Sequence, residues 1–210
     1  VLRRVIRFLR AGTALFIMGV FVVRGATISR IPNLEARLSA RLRTNRRLAG
    51  WLARAIRLRV HVTFESGTTP ADRGCLILAN HTSVLDVVAL ASLEDAVFVT
   101  SQEMAEAPVI GALARFGGAT FVERRHRGGR ANELRNLETL LTAGRTVVVF
   151  PEGTSTDGSE ILRFRHGLLH LAERVPRLEI LPVAIRYRSI GGKPVDAANR
   201  DRIYVYGDQS

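Results

Sequence analysis

Short apolar runs alternate with helical patterns over residues 58–206 of the chain. The apolar runs, some alternating and some continuous, predict strands at Leu58–Phe64, Cys75–Ala79, Ala96–Thr100, Ala119–Val122, Thr146–Phe150, Glu179–Tyr187 and Ile203–Tyr206. Three- and four-residue apolar spacing predicts helices at Ser83–Leu93, Met104–Phe116, Arg130–Ala143 and Leu162–Arg174. This order of elements predicts an α/β fold with a mostly parallel sheet flanked by helices.

The N-terminal residues carry a different pattern. Ala11–Val23 is an uncharged, mostly apolar run that as a helix reaches about 20 Å, short of the roughly 30 Å hydrocarbon core of a bilayer. A signal peptide is the alternative interpretation, but Arg24 interrupts the region where a small-residue cleavage site would follow. We therefore expect this run to associate with a membrane surface or to form a single short membrane segment.

A second helix is predicted at Leu34–Ile56, where apolar residues recur at three- and four-residue steps after Pro32 and Asn33. Arginines fill much of its remaining surface, and Trp51 lies among the apolar positions. Such a helix suits the headgroup layer of an anionic bilayer, although a solvated face packed on the rest of the protein is the alternative. The predicted division is a membrane tether at 1–57 and an α/β domain at 58–210.

The charge of the chain strengthens this interpretation. The 210 residues carry a net charge of +12, yet residues 1–60 hold 14 arginines and one acid, Glu35, so the remainder is close to neutral. A polyanionic partner is indicated for that part alone, and anionic membrane lipids are favoured over nucleic acid because no nucleic-acid motif is present. Cys75 is the one cysteine, which excludes an internal disulfide and a multi-cysteine metal site.

The segment Asn80–Asp86 (NHTSVLD) directly follows a predicted buried strand. His81 and Asp86 are five residues apart and would not share one face of a regular helix, so they meet only if His81 precedes the helix and Asp86 lies in its first turns. Thr82 or Ser83 is expected to cap that helix. A histidine oriented by a carboxylate is an arrangement that activates a hydroxyl, and a capping histidine beside a surface aspartate is the alternative.

Two further strand ends carry unusual residues. Phe150–Thr154 (FPEGT) follows the most apolar strand, so Glu152 is placed to bind a polar group and Gly153 to let the backbone approach it; a simple turn is the alternative. Arg124 follows another strand, where a guanidinium group can bind phosphate or carboxylate. Ligands of parallel sheets lie beyond such strand ends.

Together these segments resemble the glycerolipid acyltransferase family, which includes bacterial 1-acylglycerol-3-phosphate acyltransferases. Asn80–Asp86 matches the His-four-residues-Asp block of that family, and Phe150–Thr154 its Pro-Glu-Gly block. Phe121–Arg125 (FVERR) resembles its acceptor-binding block, and Leu181–Ala184 (LPVA) its fourth. Order and spacing agree over about residues 58–190.

The resemblance implies that His81 is the general base on an acceptor hydroxyl and that Asp86 orients it. The substrate-binding residues implied by the same blocks are Glu123, Arg124, Glu152, Gly153 and Thr154. No metal or other cofactor is implied, because acyl-CoA or acyl-acyl carrier protein serves as the co-substrate. The implied reaction acylates a lysolipid, first 1-acyl-sn-glycerol-3-phosphate to give phosphatidic acid in phospholipid biosynthesis, at the cytoplasmic face of the cell membrane.

Departures from the family pattern leave the acceptor open. Glu123 stands where the family usually has Asp, and Ser155 where phosphate-recognising members commonly have Arg. The stretch FPEGTSTDG and the segment 206–208 are more similar to members that acylate lyso-ornithine lipid. Candidates for the missing positive charge are Arg125, Arg127, Arg163 and Arg165.

Other classes of protein have less support. The chain has no Gly-x-Ser-x-Gly elbow of a serine hydrolase and no glycine-rich nucleotide-binding loop. A catalytically inactive membrane-surface binding protein is the non-enzymatic alternative. Because the chain begins at Val1 and stops just after a predicted strand, we expect a piece of a longer protein or an alternative start codon.

Overall fold

The structure, a computed structural model, describes residues 2–65, 74–106, 111, 114–122, 130–164 and 169–203. The chain divides into two compact units. One consists of Val1–Pro70 and Val88–Arg124, and the other of Ala71–Val87 and Arg125–Ser210. The division predicted from the sequence, at residue 57, stays a prediction.

The helices of the described residues are α1 (Leu2–Ile28), α2 (Leu34–Ile56), α3 (Val84–Leu93), α4 (Gln102–Glu106), α5 (Arg130–Thr142) and α6 (Leu169–Arg174), with a 3₁₀ turn at Arg200–Arg202. The strands are β1 (Leu76–Ala79), β2 (Ala96–Ser101), β3 (Thr120–Val122), β4 (Thr146–Val149), β5 (Ile180–Val183), β6 (Ser189–Ile190) and β7 (Lys193–Pro194).

The first unit contains the N-terminal helix pair. Helix α2 begins where the sequence predicts, because the side chain of Asn33 accepts a hydrogen bond from the backbone N–H of Ala36 (2.8 Å). Ile17 and Phe21 of α1 pack with Leu48 of α2 in one buried cluster. Among the residues whose side chains are described, the structure shows no helix that is both long and apolar enough to cross a membrane.

The same unit holds two parallel strands, β2 and β3, in which Val99 is opposite Thr120. Helix α4 follows β2 directly, and residues 111 and 114–116 are also helical. Gly118, with a φ of +81°, ends this helical stretch before β3, in a backbone conformation that glycine adopts without strain. The predicted helix at 104–116 is therefore confirmed only where the structure describes it.

The second unit is built around three parallel strands in the order β4-β1-β5. Every residue of β4 is buried, as its continuous apolar sequence predicts. Pro182 lies in β5, the edge strand of the three, where a missing N–H donor is tolerated. The predicted α/β fold with parallel strands and flanking helices is confirmed.

Several predicted elements are wrong in extent. Leu58–Phe64 is not a strand, because within the described chain no strand pairs with it, and the alternating side chains of Val60, Val62 and Phe64 are exposed. The helix predicted at 162–174 begins only at Leu169 in the described residues, since 162–164 is irregular. The strand predicted at 179–187 ends at Val183, and the short hairpin of β6 and β7 was not foreseen. In the last predicted strand Ile203 lies in a turn, and 204–206 lies outside the described residues.

Candidate active site

The carboxyl ends of β4, β1 and β5 bring three segments to one edge of the second unit. Leu78 of β1 is opposite Val149 of β4 and Pro182 of β5. Because all three strands are parallel, the residues that follow them leave the sheet at the same edge. The side chain of Asn80 extends the pairing of β1 with β5, since it donates a hydrogen bond to the carbonyl of Ile185 (3.1 Å) and accepts one from its N–H (2.7 Å).

His81 and Asp86 meet at this edge in the way that their spacing requires. His81 lies before α3, and Asp86 lies in its first turn. The ring Nδ1 of His81 is 3.0 Å from Oδ2 of Asp86. A carboxylate in this position fixes the tautomer in which Nδ1 carries the proton and Nε2 is free to accept one. The geometric expectation from the sequence is therefore confirmed.

Asp86 is fully buried, with an exposed fraction of 0%, and four donors surround its carboxylate. Oδ2 accepts hydrogen bonds from the backbone N–H groups of Thr82 (2.7 Å) and Ser83 (2.8 Å) as well as from His81. Oδ1 accepts one from the hydroxyl of Tyr187 (2.5 Å). A buried carboxylate with this many donors is well compensated for its loss of water, and its orientation is fixed.

The start of α3 explains part of this arrangement. The hydroxyl of Ser83 accepts a hydrogen bond from the N–H of Leu85 (3.2 Å), and Asp86 accepts from the N–H of Ser83 in return. This reciprocal pattern is similar to a capping box, with Asp at the third helical position and the hydroxyl of Ser83 bonded to the second. Ser83 also donates to the carbonyl of Ile203 (2.7 Å). The expectation that Thr82 or Ser83 caps the helix is met by Ser83.

Two contacts hold His81 from other directions. Its ring stacks on the ring of Phe150, with centroids 4.1 Å apart and an angle of 19° between the planes. Its backbone carbonyl accepts a hydrogen bond from the N–H of Thr156 (2.9 Å). The side chain remains 22% exposed. The ring is therefore fixed in orientation but still open to a substrate.

Glu152, Gly153 and Thr154 lie in the turn that follows β4. Glu152 accepts a hydrogen bond from the N–H of Leu162 (2.9 Å), so its carboxylate closes the loop 152–162. Gly153 has a φ of +71°, which favours glycine, and its N–H donates to the carbonyl of Phe150 (2.9 Å). Thr154 is exposed. The substrate-binding role of these three residues stays a prediction.

The loop 152–162 has a second internal anchor at Asp157. Its carboxylate accepts hydrogen bonds from the backbone N–H of Ser159 (2.9 Å) and from its hydroxyl (2.5 Å), and lies 3.0 Å from the guanidinium of Arg200. The hydrogen bonds from Ser159, with a smaller contribution from the charge of Arg200, lower the pKa of Asp157. The loop is therefore closed on itself at Glu152 and tied to Arg200 at Asp157.

Glu123 and Arg124, the predicted acceptor-binding residues, lie outside the described residues, as do Arg125, Arg127 and Arg165. Arg163, the remaining candidate for a compensating positive charge, is described and exposed. The catalytic pair is thus described in detail, and the headgroup site predicted around Arg124 stays a prediction.

Sequence reasoning missed Tyr187 and the ring of Phe150. Tyr187 lies 101 residues after Asp86, in irregular chain beyond β5, and no local pattern connects the two. Phe150 belongs to the recognised FPEGT segment, so its position at the end of a strand adjacent to β1 was a usable signal. Both residues reach His81 or Asp86 because β4 and β5 flank β1.

Comparison with known proteins gives the family. The family model described as "Acyltransferase" matches residues 59–186, a range that includes His81, Asp86 and the turn Phe150–Thr154. The chain belongs to the acyltransferase family. Its predicted relationship to this family is therefore confirmed.

Two acyltransferases and one solved structure show the range of similarity. The chain is 34% identical over 151 residues to the lyso-ornithine lipid O-acyltransferase of Rhizobium meliloti, covering 69% of this chain and 50% of that protein. It is 29% identical over 144 residues to the 1-acyl-sn-glycerol-3-phosphate acyltransferase of Neisseria meningitidis, covering 68% of this chain and 56% of that protein. The chain thus spans about half the length of these relatives.

The solved structure is that of the 1-acyl-sn-glycerophosphate acyltransferase PlsC from Thermotoga maritima. The similarity covers 86% of this chain and 74% of that chain, with a TM-score of 0.59 and 21% identity. At this level of identity the similarity shows a common fold.

Proposed function

We propose that this acyltransferase moves a fatty acyl group from an acyl thioester to the free hydroxyl of a lysolipid. The observation that carries the proposal is the 3.0 Å contact between Nδ1 of His81 and Oδ2 of a fully buried Asp86, at the carboxyl edge of a parallel sheet. A complete and rigidly held pair favours an enzyme over a catalytically inactive lipid-binding relative. The relatives named as lysolipid acyltransferases give independent support.

In the proposed mechanism His81 accepts the proton of the acceptor hydroxyl at Nε2. The hydroxyl oxygen attacks the thioester carbonyl carbon, and the carbonyl oxygen takes the negative charge. The intermediate collapses as the carbon–sulfur bond breaks, and the thiolate leaves with the proton that His81 returns. Asp86 holds the imidazolium between these steps without taking the proton itself, and Tyr187 and the two backbone N–H donors hold Asp86.

The acceptor we propose first is lyso-ornithine lipid, with 1-acyl-sn-glycerol-3-phosphate as the second candidate. Four relatives between 34% and 36% identical are named as lyso-ornithine lipid O-acyltransferases, whereas two bacterial relatives named as 1-acyl-sn-glycerol-3-phosphate acyltransferases are 29% and 32% identical. Ser155 also stands where phosphate-recognising members commonly have Arg. This reverses the order of the two acceptors expected from the sequence.

The donor, the headgroup site and the location are further parts of the proposal. The donor is acyl-CoA or acyl-acyl carrier protein, with no resident cofactor, and Arg124 with Glu123 binds the acceptor headgroup. The protein associates peripherally with the cytoplasmic face of the cell membrane through α1 and α2. The exposed apolar side chains of Leu15, Phe16 and Trp51 on these helices support that association.

Acyl transfer in detergent micelles tests the proposal. Wild-type protein is given acyl-CoA or acyl-acyl carrier protein with each of the two lysolipids, and the diacyl products are measured by mass spectrometry. The active-site variant is His81→Ala. The matched control is His61→Ala, because His61 is exposed in the irregular segment after α2 and lies outside the His81–Asp86 cluster.

We expect wild type and His61→Ala to acylate lyso-ornithine lipid at similar rates. We expect His81→Ala to be slower by about 10³-fold when assayed well below its melting temperature, which falls because the buried Asp86 loses one of its donors. Faster acylation of the glycerophosphate would reverse the proposed order of acceptors. A folded wild type that acylates neither lysolipid would contradict the proposed enzyme and favour the lipid-binding alternative.

A further inference from the structure

A cavity of about 430 Å³ lies between α1 and α2, within the first unit. Its lining includes Arg24, Thr27 and Ile28 from α1 and Arg43, Thr44 and Arg47 from α2. On each helix these residues recur at three- and four-residue steps, so they lie on the sides of the two helices that face each other. The volume is in the range of small-molecule binding sites.

The positive charge of this cavity is not neutralised. Arg24, Arg43 and Arg47 are exposed, and across the described parts of the chain none of the three is paired with a carboxylate. By contrast, Arg46 on the neighbouring position of α2 contacts Asp95 (3.4 Å). The three guanidinium groups of this lining, with the hydroxyl of Thr44, are donors suited to the oxygens of a phosphate group, whereas the hydroxyl of Thr27 donates to the backbone carbonyl of Arg24 (2.9 Å).

The apolar surroundings indicate the source of that phosphate. Ile28 and Ile31 line the same cavity, and Ile31 is partly exposed. Trp51, one turn after Arg47 on α2, is also exposed. A soluble phosphate compound gains nothing from such apolar side chains, whereas a lipid places its headgroup beside its acyl chains.

We propose that this cavity, which we call the arginine pocket (Arg24, Thr27, Thr44, Arg43 and Arg47), binds the headgroup of an anionic membrane phospholipid. The site is separate from the acceptor site predicted around Arg124. It rests on the membrane association proposed above and is independent of acyl transfer. It gives the helix pair a discrete, saturable preference for anionic phospholipid beyond the general attraction of a basic surface.

The experiment distinguishes binding of a headgroup in the pocket from general electrostatic attraction by keeping the net charge constant. In the pocket variant Arg43→Lys is combined with Arg47→Lys, which preserves the net charge but removes the planar forks. The control variant combines Arg54→Lys with Arg59→Lys, both exposed and outside the lining of the pocket. Binding to vesicles of phosphatidylcholine alone, or mixed with phosphatidylglycerol, is followed through the emission of Trp51, the one tryptophan.

We expect the pocket variant to bind phosphatidylglycerol vesicles about tenfold more weakly than wild type, and the control variant to stay within about twofold. Binding to pure phosphatidylcholine vesicles should be equal for all three proteins. Equal binding of pocket and control variants to phosphatidylglycerol would overturn the pocket and leave diffuse charge as the explanation. If wild type binds neither vesicle, the pocket and the membrane association both fail, while acyl transfer in micelles is unaffected.

Free phosphate provides the second arm of the experiment. Wild type bound to phosphatidylglycerol vesicles is titrated with inorganic phosphate or with sodium chloride at matched ionic strength. We expect both salts to release the protein equally, because a free anion lacks the adjacent acyl chains. Selective release by inorganic phosphate would overturn the assignment to a lipid headgroup and identify a site for soluble phosphate.

Discussion

Charged groups are buried and hydrogen-bonded in the His81–Asp86 cluster, whereas they are mostly exposed on the described part of the α1–α2 helix pair. Asp86 is fully buried, and four hydrogen-bond donors surround its single negative charge. Of the arginines on these helices whose side chains the structure describes, most are exposed, and within the described residues those of the arginine pocket have no acidic partner. The same contrast holds for apolar groups, since Phe150 is stacked on His81 while Phe16 is exposed.

This difference reflects what each region does in the proposed function. Proton transfer needs a base held within a few tenths of an ångström, and the carboxylate that orients this one has a protein donor at each of its oxygens. A surface that binds a lipid has donors without protein partners and apolar side chains exposed to solvent when no lipid is bound. In the proposed function, the fully bonded carboxylate of Asp86 therefore belongs to the proton-transfer site, and the exposed arginines of the pocket belong to the lipid-binding surface.

The largest effect is expected from Asp86→Asn. The amide keeps the shape of this side chain but removes the negative charge that its four partners surround, and towards Thr82 and Ser83 only its carbonyl oxygen can accept a hydrogen bond. We expect acyl transfer to fall by about 10³-fold and the free energy of unfolding to fall by about 1–3 kcal/mol. Assays with saturating substrates and urea denaturation measure the two losses. Activity within tenfold of wild type would contradict the proposed role of Asp86.

A pair of phenylalanines on α1 tests the contrast within one helix. Phe21 is 9% exposed and packs edge-on against Phe116, with ring centroids 6.4 Å apart, whereas Phe16 is 69% exposed. We expect Phe21→Ala to lower the free energy of unfolding by about 3 kcal/mol and Phe16→Ala by less than about 0.5 kcal/mol. Phe16→Ala should instead weaken vesicle binding. The opposite ranking in urea denaturation would mean that the two faces of α1 are wrongly assigned.

A smaller effect is expected from Tyr187→Phe, which removes one of the four donors and keeps the ring. As a positioning residue, Tyr187 acts only through Asp86, so kcat should fall about tenfold while KM stays unchanged. Steady-state kinetics well below the melting temperature separates this effect from instability. A change confined to KM would place Tyr187 in substrate binding instead.

The smallest effect concerns Asp157 and its dependence on pH. Because its pKa is lowered in the folded protein, the ionised form contributes stability above the usual pKa of aspartate. That contribution is lost as the pH falls through the lowered pKa. We therefore expect Asp157→Asn to lower the melting temperature slightly at neutral pH and to match wild type in acid. A difference that grows towards acid pH would have the wrong sign.

The elements predicted well from the sequence are those with a strong local signal. The start of α2 follows from Asn33, whose side chain caps the helix, and β4 follows from an uninterrupted β-branched run that is buried throughout. Both signals act over a few neighbouring residues, so no knowledge of distant contacts is needed.

The wrong or missing predictions concern strands and contacts that depend on residues far away in the sequence. Leu58–Phe64 has the alternation of a strand, but alternation describes one surface of a strand and does not supply a neighbour to pair with. The pairing of His81 with Asp86 was predictable because both residues lie in one short segment. Tyr187 and Thr156 were not, because their contacts with that segment depend on how β4 and β5 are placed beside β1.

One carboxylate both begins helix α3 and holds the proposed base. Any fluctuation that unwinds the first turn of α3 releases the backbone N–H groups of Thr82 and Ser83 and frees the ring of His81 in the same event. Hydrogen exchange at those two amides therefore reports how often this turn opens and His81 loses the orientation that the proposed reaction needs. Because Thr82, Ser83 and Asp86 are all buried, we expect both amides to be protected from exchange and heat inactivation to coincide with unfolding of this region.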